Sequence, residues 1–175
     1  MAPAQGFKEI DMNQRVNLGQ AAPDLYQAVL ALEQLASDRA AKAGIEKGLA
    51  HLLRLRASQI NHCAFCVRMH TRDALASGES SDRIAMVAAW HESGYFSPKE
   101  RAALALVEAI TLIADGQVPD AVYAEAAASL SSEEILAVEW LAVVINAWNR
   151  IAIASRYPVE PQARLAVGWL PAQPQ

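Results

Sequence analysis

The sequence has few cysteines and no long hydrophobic run, and both features limit what the protein can be. Two cysteines occur among 175 residues, whereas a secreted disulfide scaffold distributes more cysteines along its chain to close loops. Residues 1–20 contain no apolar segment of the length that a secretory signal needs. No uninterrupted run of about 18 apolar residues occurs; the nearest approach, 135–154, is interrupted by Glu139 and three further polar residues. We therefore expect a soluble, cytoplasmic protein that does not cross a membrane.

A block of basic residues is also absent, and the formal net charge is −4. Nucleic acid is for this reason an unfavourable partner. Hydrophobic residues make up 53% of the chain, which excludes an intrinsically disordered protein. The length suits one domain with a substantial core.

Glycine and proline are scarce inside the long segments, and alternating β-branched strands are absent, so the sequence predicts an all-α fold of six to eight helices. Residues 1–22 are interpreted as an irregular arm that packs on another surface, 23–158 as a single helical domain, and 159–175 as a loosely ordered tail. Capping residues, prolines and glycines predict helices at 23–44, 45–58, 63–77, 80–90, 98–114, 119–130 and from 131 to just before Pro158.

The segment QINHCAFCVRMHTRDA contains the chemically active residues. On a helix, Cys63 and Cys66 are about 60° apart on adjacent turns, and Cys66 and His70 form an i,i+4 pair. All three side chains would therefore share one stripe. The free backbone N–H groups at a helix start lower the pKa of a thiol there, which favours Cys63 as the easier thiolate. A thiolate oxidised to a sulfenic acid condenses with a second thiol to form a disulfide, and His70 can carry the proton.

Three other interpretations of these residues compete with redox chemistry. A zinc site would combine Cys63, Cys66 and His70 with His62 or His91, but no second CxxC or HxxxH accompanies the motif. Covalent haem attachment requires histidine directly after the second cysteine, where this chain has valine. Two inert buried thiols are also possible, although the polar neighbours of the motif disfavour them. We therefore predict a redox-active dithiol, with no metal and no cofactor.

The segments LRLRASQINHCAFCVRMHTRDALASGE, AAWHESGYFSPKERAALALVEAIT and INAWNRIAIASRY resemble the alkylhydroperoxidase D-like family, within the carboxymuconolactone decarboxylase superfamily. The resemblance extends from about residue 49 to residue 111, with the third segment near the C-terminus. It implies an all-helical fold that assembles as a homo-oligomer, a trimer or a hexamer. It also implies reduction of hydrogen peroxide or organic hydroperoxides by the cysteine pair, with recycling by a thiol reductant such as a lipoylated protein.

By position, the resemblance makes Cys66 the peroxidatic cysteine, Cys63 the resolving cysteine and His70 the proton-relay residue. The family has a glutamate twelve residues before the first cysteine, and this chain has His51 there. His51 is a candidate general base, or alternatively a residue that faces solvent or a subunit contact. His62, where the family commonly has glycine, is a second candidate base. Asn149 and Arg150 are expected to make structural hydrogen bonds near the site.

Two other functions compete with that of a peroxidase. Lactone decarboxylation, the other activity of the superfamily, does not depend on a CxxC pair, so the intact dithiol disfavours it. A non-catalytic oligomer or redox sensor, whose disulfide changes binding, is favoured by the replacement of the family glutamate with His51.

Overall fold

The computed structural model describes residues 15–161, and within this range the elements are helices joined by turns. The predicted all-α class is confirmed, with eight α-helices in the described part. They are α1 (Leu18–Ala21), α2 (Pro23–Lys42), α3 (Lys47–Ile60), α4 (Ala64–Ala76), α5 (Ser81–Met86), α6 (Pro98–Thr111), α7 (Asp120–Ser129) and α8 (Ser132–Ala154), and a 3-10 helix (Val87–Glu92) follows α5.

The capping signals located the starts of α2, α6 and α8 correctly. Pro23 is the first residue of α2. Ser97 and Ser131 each accept a hydrogen bond from the third helical residue, and the glutamate at that position bonds back, which completes a capping box at both sites. These bonds satisfy N–H groups that would otherwise lack partners.

The ends of several helices differ from the predicted ones. The predicted helix 80–90 is two elements, α5 and the 3-10 helix that follows it, and the second is kinked at Ala89, which has a non-helical backbone (φ −123°, ψ 30°). Helix α6 stops at Thr111, three residues early, and the chain then turns through Gly116 at φ 120°. Helix α3 runs two residues beyond the predicted end, because its last carbonyls are capped by the following turn.

The predicted arm and tail fall partly outside the described residues, which exclude 1–14 and 162–175. The described part of the arm is not wholly irregular, since it contains α1, capped by the side chain of Asn17. It packs on the end of α8, where the backbone N–H of Leu18 donates to Ser155 Oγ at 3.0 Å.

Helices α3, α6 and α8 pack against one another and form the centre of the fold, with α2 on α8 and α4 on α3. Fully buried aliphatic side chains from these helices fill the core, among them Leu52, Leu104 and Leu141. By length and mean hydropathy (1.3), α8 would suffice to cross a membrane, but 56% of that apolar window is buried inside the fold. That burial is what a core helix shows.

The connection between α3 and α4 is a Schellman turn, and it positions Cys63 at the start of α4. The N–H of Cys63 donates to the carbonyl of Ser58 and the N–H of His62 to that of Gln59, as the motif requires. His62 occupies the left-handed position at φ 56°, where a side chain costs about 1–2 kcal/mol and glycine is preferred. The backbone thus explains why glycine, which the resemblance implies at this position, would be favourable here.

Replacing His62 with glycine is expected to stabilise the protein by about 0.5–1 kcal/mol, because relief of the left-handed strain exceeds the entropy cost of glycine. Urea unfolding measures the difference. His62→Ala is the matched control and should give no gain, since alanine retains the β-carbon. Equal stabilisation by both variants would mean that the imidazole, not the backbone, is unfavourable.

Candidate functional site

The two cysteines lie at the start of α4, and they are not both part of the helix. Cys63 is the N-cap, with an extended backbone (φ −82°, ψ 90°), and its Sγ accepts a hydrogen bond from the backbone N–H of Cys66 at 3.4 Å. The prediction that Cys63 begins the helix was thus one residue early. Both cysteines are free thiols, only 1% and 2% exposed. The Schellman turn therefore makes a sulfur atom the capping acceptor of α4.

Asn149, on α8, holds this turn and contacts both thiols. It is fully buried, donates to Ser58 Oγ at 3.0 Å, and accepts from Asn61 Nδ2 at 2.8 Å. Its side chain also helps to lower the pKa of Cys63 and opposes the raised pKa of Cys66. Arg150 is exposed and bonds to Asn146. The expected hydrogen-bonding role near the site is therefore confirmed for Asn149, whereas Arg150 acts one step further away.

The negative charge of the dithiol is favoured on Cys63. A hydrogen bond from the Cys66 thiol, with smaller contributions from the Cys66 backbone N–H and from Asn149, lowers the pKa of Cys63 to about 7, although burial opposes this. The same thiol–thiol bond, together with burial, raises the pKa of Cys66. This agrees with the helix-start argument, and a neutral solution would hold a large fraction of the Cys63 thiolate.

His51, on α3, lies directly beside His70, on α4. Their Nδ1 atoms are 3.4 Å apart, and their rings are 5.6 Å apart between centroids. Asp73 Oδ2 lies 4.0 Å from His51 Nδ1 and 3.9 Å from His70 Nδ1. Asp73, on another helix, thus places a carboxylate beside His51, the position at which the resemblance implies a glutamate.

Both imidazoles are held in the neutral form at neutral pH. Burial, the Arg54 guanidinium and His51 lower the pKa of His70 to about 3. Burial is also the largest cause that lowers the pKa of His51, followed by Arg54, while Asp73 opposes it. His70 Nε2 is buried and makes no hydrogen bond to the described residues. A neutral histidine pair can accept a proton on one ring and pass one on from the other.

A cavity of about 500 Å³ opens beside this group. Cys66, His70, His51 and Asp73 line it, and Cys63 is not among the described residues that do. The remaining wall is largely apolar and aromatic, formed by Tyr26, Leu30, Ile45, Phe65, Met69, Trp148 and Tyr157 among others. Access and charge thus favour different cysteines. Cys66 lines the cavity, whereas the thiolate is stabilised on Cys63.

Arg54 is the buried cation of the cavity wall, and its charge is balanced locally. Its Nη2 donates to Glu33 Oε1 at 2.5 Å and to Ser37 Oγ at 2.7 Å. Glu33 lies too far upstream along the chain to have the family spacing, yet the fold brings it to the same cavity. The ion pair leaves little net charge to attract an anionic ligand.

The structure brings together four of the predicted candidates, Cys63, Cys66, His70 and His51, and separates the others. His62 is exposed in the turn and His91 contacts Glu108, so neither completes a zinc site with the cysteines. Asp73 was missed. The sequence contained a pattern that indicates it, because Cys66, His70 and Asp73 are spaced i, i+4, i+7 and so share one face of α4.

Comparison with known proteins identifies the relatives of the chain. The sequence profile of the carboxymuconolactone decarboxylase family matches residues 23–109. The uncharacterised protein YdfG of Bacillus subtilis (strain 168) is 38% identical over 143 residues, which cover 82% of this chain and 95% of YdfG.

The chain belongs to the carboxymuconolactone decarboxylase family. Within it, the resemblance to alkylhydroperoxidase D-like members is confirmed by a crystal structure from Agrobacterium tumefaciens, of a protein of unknown function with a suggested identity as the antioxidant defence protein AhpD. That structure is 39% identical, covers 85% of this chain and 100% of its own, and superposes with a TM-score of 0.77.

The debrominase Bmp8 has the same fold at 19% identity, with a TM-score of 0.69 over 81% of this chain and 74% of its own. A second structure of that debrominase, in complex with 2,3,4-tribromopyrrole, gives a TM-score of 0.66 at 17% identity, over 81% and 73% of the two chains. At this identity the likeness concerns the fold alone. Members of the family are enzymes of differing chemistry.

The thiolate of Cys63 should depend on the donor at position 66. In the reduced protein, thiolate absorbance is expected to rise near pH 7, and Cys66→Ala should move this rise to higher pH, because the side-chain donor that lowers the pKa of Cys63 is gone. Cys66→Ser retains a hydroxyl donor and should remain close to the wild type. An identical midpoint in all three proteins would contradict the hydrogen-bond explanation.

Proposed function

We propose that this protein is a thiol-dependent peroxidase that reduces hydrogen peroxide or organic hydroperoxides with Cys66 and Cys63. The observation that carries the proposal is the pairing of two free thiols at the start of α4, one of which faces a cavity lined by His51 and His70. A suggested antioxidant role for the 39% identical relative from Agrobacterium tumefaciens supports the same chemistry.

Cys66 is the attacking residue in this proposal because it is the cysteine that lines the cavity. At rest its thiol donates to the Cys63 sulfur. Transfer of that proton to the Cys63 thiolate would leave the charge on Cys66. The Cys66 sulfur then attacks one peroxide oxygen, the O–O bond breaks, and an alcohol or water leaves after its oxygen takes a proton through His70 and His51.

The second step joins the two sulfur atoms. Cys63 attacks the sulfur of the Cys66 sulfenic acid, the S–S bond forms, the S–OH bond breaks, and water leaves with the proton that Cys63 had received. A dithiol reductant, such as a lipoylated protein, returns both cysteines to thiols. No cofactor is needed for these steps.

His51 acts in place of the family glutamate, with Asp73 as its carboxylate partner. His70 is hydrogen-bonded to His51, and the 45% exposed side chain of Asp73 lies beside both rings, at 3.9 and 4.0 Å from their Nδ1 atoms. Protons can therefore move between the cavity and solvent without a buried acid. This arrangement supports a working relay despite the substitution.

The proposal includes a cytoplasmic homo-oligomer, a trimer or a hexamer. In the described part of the chain, α8 leaves Trp140 and Val143 exposed at 40% and 47%. These residues are three apart and share a helix face. An apolar pair on the exposed side of this otherwise buried helix suits contact with a second copy.

The reaction is tested by following peroxide loss with dihydrolipoamide as the reductant. Many turnovers per protein are expected, with a rate that rises as pH increases through about 7, because the pKa of Cys63 limits the anionic dithiol. Peroxide loss that stops after one equivalent would exclude an enzyme and favour a redox sensor. The Cys63→Ser/Cys66→Ser double variant supplies the background rate.

Histidine variants in the same assay separate the relay from a general effect of removing imidazole. His51→Ala should lower turnover by about 10²-fold or more, the contribution of a general acid–base group. His62→Gly is the matched control, because His62 is exposed outside the cavity, and should leave the rate unchanged. An unaltered rate in His51→Ala would remove His51 from the mechanism.

The roles of the two cysteines are tested by trapping the sulfenic acid and mapping it by mass spectrometry. Cys63→Ser should accumulate the trapped product on Cys66, because no resolving thiol remains. Cys66→Ser should accumulate little trapped product, since no thiol lines the cavity in this variant. Product on Cys63 alone would reverse the assignment. Cys63, on which the thiolate is stabilised, would then be the attacking residue.

A further inference from the structure

We propose that His51, His70 and Asp73 form a binding site for a divalent transition-metal ion of the zinc class. The three side chains each offer one ligand atom, and these atoms lie within 4.8 Å of one another. Two come from α4 and one from α3, so the packing of the two helices assembles the set. It differs from the set of cysteines and histidines that the sequence suggested.

The spacing of the three atoms allows a shared ion. The two Nδ1 atoms make one long hydrogen bond at 3.4 Å, whereas the histidine–aspartate distances of 4.0 and 3.9 Å are longer than the usual hydrogen-bond range of about 2.7–3.2 Å. For a triangle with these sides, the equidistant point lies about 2.2 Å from each atom, close to the length of zinc–nitrogen and zinc–oxygen bonds, about 2.0–2.2 Å.

The chemistry of the ligands and the surroundings agree with this assignment. Two imidazoles and one carboxylate are ligands that zinc and its neighbours accept, and a site with three protein ligands keeps a position open. All three residues line the cavity, so that position can face it. The half-exposed Asp73 gives an ion access from solvent, and Glu33 balances the nearby charge of Arg54.

Metal binding and proton transfer would compete for the same nitrogen atoms. An ion on His51 Nδ1 and His70 Nδ1 occupies the lone pairs that the relay uses, so zinc is expected to inhibit peroxide turnover. This consequence rests on the proposed peroxidase function, whereas the metal site itself does not.

Binding is therefore measured first in the Cys63→Ser/Cys66→Ser double variant, which lacks both thiols and any thiol-dependent activity. Isothermal titration with Zn²⁺ should show one site per chain. Co²⁺ should give the visible d–d bands of nitrogen and oxygen ligands without a thiolate charge-transfer band. Absence of binding in both this variant and the wild type would overturn the proposal.

Ligand variants in the same background locate the ion. His51→Ala and Asp73→Asn should each weaken Zn²⁺ binding by at least the roughly 10–100-fold seen for loss of supporting residues at metal sites. Asp73→Asn retains the shape of an exposed side chain, so a loss of binding there does not reflect misfolding. His62→Gly and His91→Ala are the histidine controls and should bind as tightly as the parent.

The remaining outcomes are also decisive. Unchanged binding in His51→Ala would place the ion elsewhere and overturn the proposal. A thiolate band in the wild type, together with loss of binding in the double cysteine variant, would do the same. Binding at this site in a protein without catalytic turnover would refute the peroxidase and leave the metal site standing. Binding with turnover that zinc inhibits would support both.

Discussion

The left-handed turn at His62 is the constraint on which the site depends. It closes α3 with a Schellman motif and delivers Cys63 to the N-cap of α4, where the sulfur accepts a backbone N–H instead of the hydroxyl or carboxylate oxygen usual at that position. Buried Asn149 holds this turn from α8 through Ser58 and Asn61. The reactivity of the dithiol is thus tied to the packing of α3 and α8, and not only to the CxxC spacing.

Stabilisation of the thiolate and access to the cavity favour different cysteines. Electrostatics stabilise the thiolate on Cys63, because the thiol and the N–H of Cys66 both donate to it. Access favours Cys66, which faces the cavity. In the proposed mechanism one shared proton reconciles them, since moving it between the sulfur atoms would interchange thiol and thiolate without a separate base. Neutral, buried His70 is a weak proton acceptor, so the proposed exchange does not rely on it as the base.

The site contains a carboxylate although His51 stands where the resemblance implies a glutamate. His51 occupies the sequence position of the glutamate, and Asp73 on α4 supplies the acid. The resulting pair of neutral imidazoles with a half-exposed carboxylate can move protons or hold a cation, and these two uses exclude each other. If both proposals hold, the same three side chains would couple peroxide reduction to metal availability.

The sequence by itself determined the all-α class, the starts of α2, α6 and α8 and the grouping of Cys66 with His70, because capping and i,i+4 spacing are local properties of one helix. It did not determine that Cys63 caps the helix, since a left-handed residue other than glycine has no clear sequence signal. The pairing of His51 with His70, and the place of Trp148 in the cavity wall, were decided by tertiary structure alone. They join residues on different helices, and only the packing of α3, α4 and α8 fixes those distances.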